Sequence, residues 1–250
     1  MRRGQTKTDG EKMKKLYAIV LCMIIVSLLS GCMYPEDLKV ESETPGQDQL
    51  DAVQKAVNTY QAETGVLPIK NSEENTDLFI KYKIDFEKLV PKYLSQAPSN
   101  AYEKGGLFQY VIWDAENSPT VRLIDLRTPD MLRDVNSRMM IHAYPTFGPA
   151  ISDNIYEINY KLLGFTEPIT VKSPYTTNDL PLILATDGIV YVDYSADIQQ
   201  LLENETIQVE VGEDIRTVLA NEFPVLPAYS LPYLMDGNNE VTFDLSALKK

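Results

Sequence analysis

Cysteine and histidine are almost missing from this 250-residue chain, which has two of the first and one of the second. Both cysteines, Cys22 and Cys32, lie near the N-terminus, so the remainder can form no internal disulfide, zinc ribbon or thiol nucleophile. With His142 as the sole histidine, any site needing two imidazoles is excluded. A serine hydrolase would have to use His142 as its base, yet the chain has no Gly-x-Ser-x-Gly elbow to carry the nucleophile. His142 therefore reads as an ordinary helix residue. Glycine is scarce at 12 residues, and neither a phosphate-cradling Gly-rich loop nor the spacing of an EF-hand occurs.

Basic charge is also short. The chain has 23 Lys/Arg against 36 Asp/Glu, a net charge of -13, and no basic-aromatic surface for nucleic acid follows from it. Residues 1–31 hold six of the basic residues and only two acids, leaving 17 Lys/Arg and 34 Asp/Glu from Cys32 onward. That remainder is repelled by anionic lipid and wall polymers unless divalent cations intervene, and its charge suits solubility. Carboxylate pairs such as Asp114 with Glu116, or Glu213 with Asp214, read as charged loop residues, because a glycosidase pair is defined by separation in space. No catalytic residues, metal ligands or cofactors are expected, and the chain reads as a non-enzyme.

Long apolar runs are missing with one exception. Residues 16–29 are apolar apart from Ser27; Lys14-Lys15 precede them and Ser30-Gly31-Cys32 follow. A helix of that length rises about 21 Å, short of the ~30 Å hydrocarbon core, so the run reads as the core of a signal peptide. Leu29-Ser30-Gly31-Cys32 resembles the lipobox of bacterial lipoproteins. The resemblance implies that the Cys32 thiol receives a diacylglyceryl group and that a dedicated peptidase cuts between Gly31 and Cys32. Cys22 does not compete, because Leu21 stands where the motif needs a small residue. Two acyl chains at about 0.8 kcal/mol per buried CH₂ anchor a protein durably without a second membrane element. Met13-Lys14-Lys15 opens a compact basic segment, so translation from Met13 stands beside Met1 as an open alternative.

Four parts are expected: a signal peptide at 1–31, a flexible tether at 32–46, an N-terminal α+β domain at 47–144 and a strand-rich α+β domain at 145–250. The tether contains Pro35, Pro45 and Gly46 among acids that repel one another. Leu50, Val53, Val57 and Tyr60 then recur at helical spacing until Gly65, predicting an amphipathic helix of about five turns. A short helix is expected at 85–90. Apolar runs at 106–113 and 119–126 predict a hairpin, and Pro129 opens a helix to about Ile141 with Met131, Leu132, Val135 and Met139 on its core side. Strands are expected at 155–163, 169–172, 180–186 and 189–194, the last two joined through Asp187-Gly188. A helix capped by Ser195, a strand at 206–211 and a helix at 214–221 follow. Residues 223–233, with three prolines and two tyrosines, should run extended over the surface, as a sugar-stacking strip or as a connector packing its aromatics. The fold class is α+β, amphipathic helices with antiparallel hairpins, tethered to the membrane.

Residues 50–112 resemble the globular part of type II secretion pseudopilins through Tyr60-Gln-Ala-Glu-Thr-Gly65-Val-Leu-Pro68, Leu89-Val-Pro-Lys-Tyr-Leu94, Pro98 and Phe108-Gln-Tyr110. This implies a shared fold motif over about a quarter of the chain. The N-terminus departs from that family, having a lipobox in place of a prepilin cleavage motif, and no calcium ligands carry over. In overall layout the chain is similar to the lipoproteins of Bacillus-type bacteria. The expected role is a lipid-anchored envelope protein on the extracytoplasmic face of the cell membrane, acting as an interaction or structural module. It would be held by lipid on Cys32 and would engage an envelope protein. The alternative is a solute-binding lipoprotein serving a transporter.

Overall fold

The computed structural model describes residues 46–141, 146–204, 207, 209, 212–237 and 240–249, and all of them belong to one compact unit. The fold is α+β with antiparallel sheets. Helix α1 (Gln47–Thr64) buries Leu50, Val53 and Val57 of the expected stripe together with Ala56, while Tyr60 is half-buried, and it ends where Gly65 turns to φ +75 and donates its N–H to the Gln61 carbonyl. Two single-turn helices follow, α2 (Leu78–Lys81) capped by the Asp77 carboxylate and α3 (Phe86–Leu89) capped by Asp85. Among the described residues, no helix is long and apolar enough to cross a membrane.

The expected hairpin is present as β1 (Phe108–Trp113) and β2 (Thr120–Asp125), in register from Phe108 opposite Asp125 to Trp113 opposite Thr120. Every residue of β1 is buried. One reason is that its outer edge is covered: the Ile84 N–H donates to the Tyr110 carbonyl and the Ile112 N–H to the Tyr82 carbonyl. The turn entering β1 leaves no room for a side chain at Gly106, where a Cβ would lie 2.1–2.5 Å from the backbone of Asn100. Asn100 is itself buried, accepting from the Tyr110 hydroxyl at 2.8 Å and, through its carbonyl, from the Phe108 N–H. Gly106→Ala is therefore expected to cost about 3 kcal/mol by forcing this turn apart. Urea titration checks it, and an unchanged midpoint would contradict the tight approach.

Helix α4 (Arg127–Ile141) starts two residues before Pro129, because the Asp125 carboxylate accepts the Arg127 N–H at 2.9 Å and Pro129 tolerates a first-turn position. Its Leu132 and Val135 are buried, with Met131 and Met139 packed beside them as core filler. The following sheet has the order β3-β4-β6-β5, with β7 also on β6: β3 (Phe147–Ser152), β4 (Ile155–Ile158), β5 (Thr170–Lys172), β6 (Asp179–Ala185) and β7 (Val190–Val192). Asp187-Gly188 makes the turn between β6 and β7, with Gly188 at φ +81. The strand expected at 155–163 stops at Ile158. Beyond it the chain turns on itself, Leu162 and Leu163 donating to the Asn159 and Tyr160 carbonyls.

Helix α5 (Ser195–Asn204) is not capped by Ser195: Asp193 supplies the carboxylate that accepts the Ser195 N–H, at 2.9 Å. The strand expected at 206–211 falls outside the described residues except Ile207 and Val209, which lie in no strand. Helix α6 (Arg216–Glu222) and an unforeseen hairpin of β8 (Tyr233–Met235) and β9 (Val241–Phe243) complete the fold, before a 3₁₀ turn at Leu245–Lys249.

Residues 223–233 are extended but do not lie on the surface. Val225, Leu226, Ala228, Leu231 and Tyr233 are buried. The segment runs parallel to β2 as its outer neighbour, the Leu123 N–H donating to the Pro224 carbonyl and the Leu226 N–H to the Leu123 carbonyl, both at 2.8 Å. Its apolar residues outweigh its prolines, and Pro224 needs only its carbonyl for this ladder. Two large cores result. Leu50, Val53, Val57, Phe108, Tyr110 and Leu123 form the first with Val225, and α4, the five-stranded sheet, Ile198, Leu219 and Tyr233 form the second.

Candidate functional site

Between the two cores lies a polar seam centred on Arg216, whose side chain is only 5% exposed. Asp214 begins the turn into α6 and accepts the Arg216 N–H, which brings its carboxylate back onto the guanidinium. The pair is bidentate, with Nε donating to Asp214 Oδ1 at 3.1 Å and Nη2 to Oδ2 at 2.7 Å, while Nη1 donates to the Ser230 carbonyl at 2.8 Å. The guanidinium also lies 4.4 Å from the ring centroid of Phe79, which stacks on Trp113, and Asp77 stands 3.6 Å from Nη1. From the opposite direction Arg122 of β2 donates to the Ala220 and Asn221 carbonyls at the end of α6, where the helix dipole favours a cation. Trp113 Nε1 donates to the Asn221 side chain at 2.9 Å. Three buried or half-buried donors thus clamp α6 onto the N-terminal half.

A second polar centre is Asp197, fully buried in the first turn of α5. Its carboxylate accepts from the hydroxyls of Ser173 and Thr176, each at 2.6 Å, and from the Asn178 amide at 3.0 Å, pinning the loop between β5 and β6. That loop places Tyr175 against Phe223 and Tyr194, with its hydroxyl donating to the Val225 carbonyl. Nearby, Tyr233 donates to Asp193 at 3.0 Å and accepts the Tyr194 N–H. Burial, reinforced by the neighbouring carboxylate, raises the phenols of Tyr175, Tyr194 and Tyr233, so all three stay neutral at physiological pH.

A groove of about 560 Å³ lies between α5 and the tip of the β8–β9 hairpin. Half-buried Leu202, Ile207, Val209 and Met235 form its floor and are continuous with the second core. Gln199, Glu203 and Asp236 edge it, with the Gln199 amide donating to Glu203 at 3.0 Å.

Residues 46–125 match the family model of the YphF family N-terminal domain. The matched stretch, about a third of the chain, begins at the cap of α1 and ends with the last residue of β2. It encloses the 50–112 region and nearly all of the first core. The matched stretch also supplies Asp77, Phe79, Trp113 and Arg122 to the seam. No curated protein matches the chain, and no solved structure does.

Cys32, Gly31 and His142 lie outside the described residues. Asp114 spends its carboxylate on the loop between β1 and β2, accepting from the Ser118 N–H and the Asn117 amide. Asp214 is bound to Arg216. Among the described residues, no group of three or more His, Cys, Asp or Glu is placed to hold a metal ion. Neither Arg216 nor Asp197 is marked by a local motif. The one available signal for Asp197 is the concentration of hydroxyl and amide side chains at Ser173, Thr176, Thr177 and Asn178, which needs a buried acceptor to be meaningful.

Proposed function

We propose that this protein is anchored by lipid on Cys32 to the outer face of the cell membrane, and that its folded part is a non-enzymatic interaction or structural module of the envelope. One observation carries the anchor: Lys14-Lys15, an apolar run too short to span, and small Ser30-Gly31 stand in that order directly before Cys32. The 15 residues 32–46 then serve as the tether to α1. The module reading draws support from the interior carboxylates, because Asp197 and Asp214 are each satisfied by donors that hold structure together. Cys32→Ala is expected to leave a precursor that keeps residues 1–31, larger on a denaturing gel than the processed wild type. Equal sizes would contradict the processing site.

The solute-binding alternative draws on the groove, whose volume is within the ~300–1,000 Å³ of small-molecule sites. A metabolite held at about 100 times its dissociation constant would raise the melting temperature by roughly 5–10 °C. The module reading predicts no such shift across a metabolite screen.

A further inference from the structure

We propose that a notch on the outer edge of β2, between α1 and the end of α6, is a docking site for the C-terminal residue of a partner polypeptide, a lysine or arginine with a free carboxylate. The inference rests on the interaction-module reading above. Gln54 of α1 pairs with this edge first, its side-chain amide accepting the Val121 N–H at 2.7 Å and donating to the Pro119 carbonyl at 3.1 Å. Pro224 takes the edge over at Leu123. Between them lies a space of about 260 Å³, floored by buried Leu50 and Val121 and half-buried Phe223 and open to solvent on its far side. Such a floor gains by covering, since burial of apolar area is the main favourable term in association.

Charge identifies the occupant. Arg122 lines the notch, and its hydrogen-bond acceptors are neutral carbonyls, those of Val121, Ala220 and Asn221. Burial lowers the pKa of this guanidinium more than the nearby Glu222 carboxylate raises it, so the cation is short of compensation. Its three bonds leave one N–H on each Nη, enough for a carboxylate. Two exposed acids face the same space, Asp51 from α1 and Glu222 from the end of α6. Asp51 accepts from the neutral Gln47 amide at 2.8 Å, which leaves its charge in place. A lone anion would meet these carboxylates, and a lone cation would meet Arg122. A residue carrying both signs satisfies all three, with its terminal carboxylate on Arg122, its side-chain cation toward Asp51 and Glu222, and its methylene stem along Leu50 and Phe223. The Val121 carbonyl takes Arg122 Nη1 at 3.3 Å and has a second lone pair for the N–H of that residue, while the open side of the notch admits the chain leading to it.

The test titrates full-length acylated protein in zwitterionic lipid vesicles against a fluorescein-labelled hexapeptide, Gly-Ser-Gly-Ser-Leu-Lys with a free carboxylate, followed by anisotropy. Saturable one-to-one binding is expected. Amidating the carboxylate, or ending the peptide in norleucine, should each weaken it about tenfold by removing a charge-assisted contact. Peptide chemistry thus tests the carboxylate without replacing Arg122, whose bonds also hold the end of α6. Asp51→Asn with Glu222→Gln should weaken the lysine peptide about tenfold and the norleucine peptide less than about twofold. Glu157→Gln with Glu167→Gln makes the same change in net charge at exposed residues outside the notch, and should weaken both peptides less than about twofold. Absence of saturable binding, equal binding of the amidated peptide, or equal weakening by the two double variants would overturn the inference. So would competition by Nα-acetyl-lysine as tight as by the unlabelled peptide, which would make the notch a small-solute site. A metabolite that raises the melting temperature reads the module reading, and fatty-acid label reads the anchor, so absence of peptide binding with no such shift and the label intact overturns the notch alone.

Discussion

Replacing Arg216 with alanine is expected to lower the melting temperature by about 10 °C, corresponding to roughly 3–5 kcal/mol for breaking a buried charge pair. The cost arises from what is left behind. Asp214 would keep a carboxylate partly withdrawn from water, the Ser230 carbonyl would lose its donor, and the face of Phe79 would lose the cation 4.4 Å above it. Arg216→Lys separates charge from geometry. An ammonium cannot reproduce the two parallel bonds to Asp214 and the third to Ser230, so this variant should recover less than half of the loss. Calorimetry of both variants checks the claim, and a lysine variant as stable as wild type would show that net charge alone matters at the seam.

Asp197→Ala carries a comparable penalty by a different route. It removes the acceptor of three donors at once, and leaving buried donors unpaired costs about 1–3 kcal/mol each, so a total near 3–5 kcal/mol is expected. The effect should also be localised. The Tyr175 and Thr176 N–H groups donate to Ser173 Oγ and the Asn178 N–H to Thr176 Oγ1, hydroxyls that Asp197 holds in place. Hydrogen exchange should therefore accelerate at these three amides more than in β6. Uniform acceleration across the sheet would mean that Asp197 supports the whole fold rather than this loop.

Elements whose partners are local were legible in the sequence. The stripe of α1, the two apolar runs of β1 and β2, and Asp187-Gly188 between β6 and β7 each carry their signal within a dozen residues. Elements defined by distant partners were not. Strand β3 contains Gly148 and Pro149 and reads as a loop. It persists as an edge strand of irregular register against β4, where proline costs no ladder bond that another strand needs. The three-residue strands β8 and β9 are too short for periodicity to register. The burial of 223–233 depends on the free edge of β2, about a hundred residues earlier in the chain, and proline content alone pointed to the surface. The site shows the same division. The anchor motif is contiguous, whereas Arg216, Asp197 and the groove are assembled from segments far apart in sequence.

The most direct measurement of the central claim is incorporation of a fatty-acid probe into cells expressing the full-length chain or its Cys32→Ala variant. Acylation of the Cys32 thiol predicts a labelled band in wild type and none in the variant at matched protein level, while Cys22→Ala labels as wild type does. Equal labelling of wild type and Cys32→Ala would contradict the lipid anchor and the envelope role built upon it.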